Sequence, residues 1–151
     1  MKVRIKKLCE NAVMPSKAHA DDAGFDLVAT SRNIDEYGCM VYGTGLAFEI
    51  PSGYVGLLFP RSSNAKKDLL LSNSVGVIDS GYRGEVTMKF KPAMRFRDGA
   101  GELEKVEGRF YDVGDRIGQL IVMPYPEIEF DEVDELSESE RGTGGYGSSG
   151  R

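Results

Sequence analysis

Three places in this 151-residue chain gather side chains suited to work on a phosphate ester. In 75–86, Val-Gly-Val-Ile-Asp-Ser-Gly-Tyr-Arg-Gly-Glu-Val, a carboxylate, Asp79, follows an apolar run at the rim of a glycine-rich turn. A carboxylate against apolar walls can accept a proton from water; Asp is also favoured simply as a turn residue. Tyr82, three residues on, is either a flat wall for a sugar or a strand-end core aromatic. Pro60-Arg61-Ser62-Ser63 follows the apolar stretch 54–59. Arg61 can fork a phosphate, and Ser62 and Ser63 either donate to it at a helical turn or act as a plain N-cap. The third place is 141–151, Arg-Gly-Thr-Gly-Gly-Tyr-Gly-Ser-Ser-Gly-Arg. Its glycines let backbone N–H groups approach an anion, and Arg141, Ser148 and Ser149 add donors. With no apolar pattern to order it, this segment is either a lid that closes on a nucleotide or a disordered tail.

Two weaker constellations accompany these. Asp21, Asp22 and Asp26 cluster around Gly24 ahead of a strand; hard oxygens at this density suit Mg2+, or form a solvated turn. In 114–120, Gly-Asp-Arg-Ile-Gly-Gln-Leu, Asp115 and Arg116 pair with each other or with neighbours, and Gln119 is a satisfied core amide or a ligand contact. His19 is the only histidine, so one chain can build neither a histidine-based triad nor a multi-histidine metal site. The tail is no Walker A loop, because no Lys-Ser/Thr follows its glycines.

The elements that must hold these groups are short strands. Candidates are 2–8, 41–50, 54–60, 68–71, 75–79, 85–90, 109–113 and 117–124, rich in β-branched and aromatic residues and separated by glycine and proline turns. No window sustains a helical period beyond a turn or two at 62–67. Such a series points to an all-β jelly roll or barrel in one domain. The polar stretch 91–108, with Asp98-Gly99 able to turn a hairpin, reads as a surface excursion. Residues 127–140 hold eight acids and no base, beginning as a possible strand and ending as a solvated linker. The expected division is a β body at 1–130, an acidic linker at 131–140 and a glycine-rich lid at 141–151.

A net charge of −5 argues against general nucleic-acid or membrane-surface binding, so cations must be concentrated at any phosphate site. No apolar run is long enough for a membrane span, and residues 1–10 lack the apolar stretch of a signal peptide. Cys9 and Cys39, at no metal-ligand spacing, read as free thiols of a reducing, cytoplasmic setting.

Taken in order, the acidic glycine turn, Pro-Arg-Ser-Ser, Gly-Val-Ile-Asp-Ser-Gly-Tyr-Arg-Gly, Gly-Asp-Arg-Ile-Gly-Gln-Leu and the terminal glycine-rich segment resemble the five motifs of the trimeric dUTP pyrophosphatases. The resemblance covers about 18–150. It implies a jelly-roll-like (β-clip) domain with a flexible C-terminal arm, a homotrimer with shared sites, and Mg2+-assisted hydrolysis of dUTP to dUMP and pyrophosphate. By position, Asp79 resembles the general base. Asn73, with the backbone of Gly76, Val77, Ile78 and Thr87, falls where the family holds uracil, and Tyr82 where it packs deoxyribose. Arg61, Ser62, Ser63 and Gln119 fall at phosphate contacts, and Asp26 at the carboxylate that holds Mg2+ through water. Arg141 resembles the γ-phosphate clamp, Tyr146 the residue stacked on uracil, and Gly147, Ser148 and Ser149 the closing loop.

The chain departs from the family pattern at Tyr146, where phenylalanine is usual, and at Asn64, where leucine is frequent. Two rival readings share the fold. A dCTP deaminase carries a catalytic glutamate on the strand after the Asp79 motif, and by spacing Lys89 stands there. A dUTP-binding regulatory or sensor module would keep the body while adding a protein contact, with 91–108 the first place to look.

Overall fold

The computed structural model describes residues 1–96, 103–105 and 109–145. The β-branched and aromatic runs form twelve short strands among these residues: β1 Arg4–Lys7, β2 Phe25–Val28, β3 Ser31–Ile34, β4 Met40–Gly43, β5 Leu46–Glu49, β6 Tyr54–Phe59, β7 Leu69–Leu71, β8 Gly76–Ile78, β9 Thr87–Pro92, β10 Met94–Phe96, β11 Leu103–Lys105 and β12 Arg116–Pro124. Two antiparallel four-stranded sheets, ordered β2-β12-β6-β8 and β3-β4-β9-β7, carry most of them, with β1-β5 as a separate ribbon. The fold is therefore all-β and jelly-roll-like, as the strand spacing implied. The expected helical turn is a single 3-10 turn, Ser62–Lys66. No helix of the described residues is long and apolar enough to cross a membrane.

Alternation along the strands sends one set of side chains inward. From β9 these are Met88 and Phe90, from β6 Leu58, and from β4 Met40 and Tyr42, while β12, whose register shifts between Arg116 and Gly118, buries Ile117 and Leu120 at an odd spacing. Tyr42, Phe90 and Tyr111 meet at centroid distances of 5.7–6.0 Å, two of the three pairs edge-on. The Tyr42 hydroxyl donates to the Tyr111 carbonyl at 3.0 Å, and the Tyr111 hydroxyl to Asn64 Oδ1 at 3.1 Å. Burial pushes both phenol pKa values up.

Three expectations need correction. The run 41–50 is two strands, β4 and β5, in different sheets. The strand breaks at Thr44, whose hydroxyl donates to the Val86 carbonyl at 2.7 Å, and the chain bends at Gly45, at a φ of 64°. Residues 109–113 form no strand. Tyr111 is buried as a strand residue would be, but the segment is tied to Asp68, which accepts the Arg109 N–H at 3.0 Å. Residues 127–140 contain no strand either and lie exposed throughout. Within 91–108, β10 and β11 pair antiparallel from Met94↔Lys105 to Phe96↔Leu103; Asp98 and Gly99 lie outside the described residues.

Phe90 is fully buried and packs on Tyr42 and Tyr111. Phe90→Ala should destabilise by about 3–5 kcal/mol through lost transfer energy and a residual cavity. Urea unfolding at fixed protein concentration measures this, and a loss below about 1 kcal/mol would show that the aromatic cluster is not the centre of the core.

Candidate functional site

Most of the sequence-selected residues separate into two clusters, one around β8 and one across β2, β12 and the end of β6. The first surrounds β8, the edge strand of its sheet, which pairs with β6 through Gly56↔Ile78, Leu57↔Val77 and Leu58↔Gly76. An edge strand leaves alternate backbone N–H and C=O groups without ladder partners, which is what a hydrogen-bonding heterocycle could use. Two adjoining cavities open here. One, of about 270 Å³, is lined by Asn73, Gly76 and Thr87 with Leu58, Met88 and Lys89. The other, of about 180 Å³, is lined by Val77, Ile78, Asp79, Tyr82, Glu85, Val86 and Thr87. Asn73, Gly76, Val77, Ile78, Asp79, Tyr82 and Thr87 thus come together around one strand. Ser74 holds a positive φ of 61° between Asn73 and β8, a conformation sparsely populated outside glycine.

The turn after β8 closes with the Tyr82 N–H donating to the Asp79 carbonyl at 3.1 Å. It is held from two sides. Arg83 Nη1 donates to the carbonyls of Ser80 at 2.6 Å and Tyr82 at 2.9 Å, and the Tyr82 hydroxyl donates to the Glu85 carbonyl at 3.0 Å. That last bond requires glycine at 84, since a Cβ there would collide with the Tyr82 hydroxyl. The Glu85 carboxylate accepts the Gly45 N–H at 2.7 Å, anchoring the turn to the body. The Asp79 carboxylate makes no hydrogen bond among the described residues and is exposed in the single chain. The sequence reading selected Asp79 and Tyr82 but missed Arg83 and Glu85 as their supports; an arginine and a glutamate flanking a glycine turn were the available signal.

The second cluster lies across β2, β12 and the end of β6. Gln119 on β12 is in register with Asp26 on one side and Phe59 on the other. Asp26 accepts from Arg61 Nε at 2.7 Å and from Arg116 Nη1 at 3.1 Å, and Arg61 Nη1 also reaches Ser63 Oγ at 3.2 Å. Gln119 donates to the Pro60 carbonyl at 3.1 Å; Gly24 is needed beside it, since a Cβ there would strike the amide. Arg116, read as a partner of Asp115 or of its neighbours, belongs to this cluster; Asp115 faces Lys67 at 3.6 Å instead. Asn64, placed where leucine is frequent, anchors the Ser62–Lys66 turn by donating to the Leu69 carbonyl at 2.9 Å.

The acidic group around Gly24 does not assemble. Asp22 accepts the His19 N–H at 2.8 Å within a turn, and no set of three His, Cys, Asp or Glu side chains among the described residues could hold a metal. Arg141 stands apart from both clusters, its Nε donating to the Gly144 carbonyl at 2.9 Å. Tyr146, Gly147, Ser148 and Ser149 lie outside the described residues.

Asp79 and Arg61 lie toward opposite ends of β6. Arg61 lies five residues beyond Gly56, while Asp79 lies one residue beyond Ile78 in the opposite direction. At about 3.3 Å per residue they are separated by roughly 20 Å along the strand. One chain therefore cannot apply both to the same phosphate.

A family model described as dUTPase matches residues 10–95 and 107–150. The deoxyuridine 5'-triphosphate nucleotidohydrolase of Rhodococcus erythropolis is 40% identical over 152 residues, 99% of this chain and 87% of its own length. That of Nautilia profundicola is 40% identical over 153 residues, covering all of both chains. Among solved structures, a mutant of the Staphylococcus bacteriophage 80alpha dUTPase with dUpNHpp superposes at a TM-score of 0.83, with 31% identity over 99% of each chain. A mutant dUTPase from phage phi11 of S. aureus, described for its coordination of a structural Mg(II) ion, superposes at 0.71 with 30% identity over 90% of this chain and 99% of that one.

Lys89, at the mouth of the larger cavity, is held by Asp35 at 3.2 Å. Asp35 also accepts the N–H groups of Cys39 at 2.9 Å and Tyr37 at 3.0 Å. The Cys39 N–H, then Lys89 and the Tyr37 N–H, hold its pKa below the ordinary 3.8 against some desolvation. A depressed folded pKa gives stability that is present above the unfolded pKa and lost as pH falls through the folded one. Asp35→Asn should therefore lower the urea midpoint by a constant amount at neutral pH, and the gap from wild type should close as pH falls below about 3.8. A gap unchanged at pH 2.5 would mean that the charge plays no part.

Proposed function

This chain belongs to the dUTPase family and is a nucleotide hydrolase, and from that premise we propose that it hydrolyses dUTP to dUMP and pyrophosphate with Asp79 as general base. The observation that carries the reading is Asp79 on a turn braced from both sides, beside an edge strand able to hold a pyrimidine. Backbone groups of Gly76, Val77 and Ile78, with Asn73 and Thr87, select uracil through its hydrogen-bonding edge. The Tyr82 ring, fixed through its hydroxyl, packs on deoxyribose and leaves a 2'-hydroxyl no room. Asp79 takes the proton of a water molecule as that water attacks the α-phosphorus. The bond from the α-phosphorus to the α,β-bridging oxygen breaks, and pyrophosphate leaves.

Arg61, Ser62, Ser63 and Gln119 are the phosphate contacts. Their separation from Asp79 by roughly 20 Å supports a site assembled from several copies, a homotrimer in which one copy supplies base and sugar contacts and another the phosphate contacts. Ile128 and Phe130, 64% and 93% exposed on the extended arm, are also side chains that a neighbouring copy would cover. The segment after Arg141 closes as a lid, with Arg141 on the γ-phosphate, Tyr146 on the base, and Gly147, Ser148 and Ser149 along the phosphates.

Asp26 has its two oxygens engaged by arginines, so it fits an outer contact through water and not a metal cage. Mg2+ carried by the triphosphate would neutralise phosphate charge, and Asp26 would orient its hydration shell. Deamination of dCTP is disfavoured because the glutamate it needs is replaced by Lys89, whose ammonium is engaged by Asp35. A cytoplasmic setting fits the two free cysteines.

Asp79→Asn should lower single-turnover hydrolysis about 10²–10⁴-fold while sparing dUTP affinity, because the amide keeps the shape but cannot take a proton. Hydrolysis at the wild-type rate would remove Asp79 from its role. Chains lacking 141–151 should be nearly inactive yet folded, since the lid adds little to the core. Co-assembled with Asp79→Asn chains, they should recover part of the activity, as some sites then combine an intact base with an intact lid. Verified mixed oligomers that stay inactive would place the lid on its own chain's base site.

A further inference from the structure

We propose that Tyr111 and Asn64 are positioning residues: the buried Tyr111 hydroxyl holds the Ser62–Lys66 turn through the Asn64 amide and so sets Arg61 and Ser63 for a triphosphate. The proposal rests on the reading of Arg61 and Ser63 as phosphate contacts.

The turn has little of its own to hold it. It is five residues of 3-10 helix with none of them fully buried, and Arg61 at its N-cap makes no side-chain capping bond. A 3-10 run this short has poor hydrogen-bond geometry and no core face, so its place depends on what grips it from outside. Two internal bonds close it, from the Asn64 N–H to the Arg61 carbonyl and from the Lys67 N–H to the Asn64 carbonyl, both at 2.9 Å. Asn64 is the residue that both bonds share.

The Asn64 side chain is gripped at both ends of its amide. Nδ2 donates to the Leu69 carbonyl at 2.9 Å, and Oδ1 accepts from the Tyr111 hydroxyl at 3.1 Å. A leucine here could make neither bond. The Tyr111 end is fixed in turn. Its buried ring meets Phe90 and Tyr42 at 5.7 and 6.0 Å. Its carbonyl accepts from the Tyr42 hydroxyl at 3.0 Å and from Arg32 Nη1 at 3.1 Å.

The same segment holds the far end of the turn. Lys67 Nζ donates to the Phe110 carbonyl at 2.6 Å and lies 4.8 Å over the Tyr111 ring. The Asp68 N–H donates to the Arg109 carbonyl at 3.1 Å. Residues 109, 110 and 111 thus hold residues 68, 67 and 64 in order, which gives this segment a task in place of a ladder.

Where the turn sits decides whether the cluster around Asp26 converges. Arg61 Nη1 donates to Ser63 Oγ at 3.2 Å and its Nε to Asp26 at 2.7 Å, so the guanidinium spans from the turn to β2. If the turn drifts, Ser63 moves while Asp26 stays on its strand. A shift of about 1 Å is enough to misalign donors aimed at one phosphate. Loss of either the phenol or the amide leaves the other without its partner and loosens the turn.

The test uses the full-length protein with Tyr111→Phe, which keeps the ring and removes only the hydroxyl, and with Asn64→Leu. In each, affinity for dUpNHpp should fall about tenfold, roughly the worth of one hydrogen bond to a charged group. Affinity for deoxyuridine, which has no phosphate, should stay unchanged. KM for dUTP should rise in step while turnover at saturation changes little, because Asp79 and its turn are untouched. The double variant should lose no more than the worse single, since both remove the same bond; independent effects would multiply to about a hundredfold. Hydrogen exchange at the Asn64 and Lys67 amides, measured without nucleotide, should be faster in Tyr111→Phe. Unchanged dUpNHpp affinity, an equal loss for deoxyuridine, multiplying losses or unchanged amide exchange would overturn the positioning. A wild-type protein that binds dUpNHpp no more tightly than deoxyuridine would instead overturn the proposed function, while faster exchange in Tyr111→Phe would keep Tyr111 as the residue that holds the turn.

Discussion

Strand β6 is hydrogen-bonded along both edges, to β12 through six registered pairs and to β8 through three, and this double pairing determines where chemistry can occur. The β12 side sets Gln119 and Asp26 beside the end of β6, where Arg61 begins the 3-10 turn. The β8 side sets the open edge and the Asp79 turn at the other end of the same strand. A slip of one residue in either pairing would send core side chains outward, so the register that builds the core also keeps Asp79 apart from Arg61. The separation is a property of a rigid sheet, and no side-chain rotation removes it.

Electrostatics within the cluster around Asp26 follow from its composition. Two guanidiniums share the Asp26 carboxylate, so the group keeps a net positive charge although the whole chain is acidic. Asp26 holds both arginines in place while leaving their remaining donors for another anion. The same saturation makes Asp26 a poor inner ligand for a cation. With both oxygens on arginines, Asp26 would reach the divalent ion of the proposed reaction only through water.

Much of the architecture was legible because strand signals and site signals coincide in this chain. Turns at Pro51-Ser-Gly53 and around Asp79, the 3-10 turn after Arg61 and the strands β6, β8 and β12 all follow from local residue types. What was not legible depends on distant partners. The segment 109–113 has the alternation of a strand, yet Asp68 takes the Arg109 N–H and Tyr111 enters the aromatic cluster, so no ladder forms. The break at Thr44 depends on Val86, forty-two residues away, and the bracing of Tyr82 on a backbone carbonyl that no residue type announces. Arg116 could be assigned to Asp26 only once β12 and β2 were placed side by side.

The exposure of Asp79 connects these points. A carboxylate open to bulk water has its lone pairs solvated by many exchanging molecules, and none of them is aimed at a phosphorus. Catalysis by such a group requires that one water be retained and the others excluded. The body supplies a braced turn and apolar neighbours in Val77, Ile78 and Val86, but among the described residues of a single chain nothing covers the carboxylate. In the proposed reaction the cover would come from substrate and from a second chain segment. Residues 126–143 lie exposed, with their acids and the apolar side chains of Ile128, Phe130, Val133 and Leu136 in water, as a segment that would supply this cover needs to be. If Asp79 is the base and is dry only when the arm closes, as proposed, hydrolysis would be conditional on occupancy of the whole site, because an incomplete ligand would leave Asp79 in water.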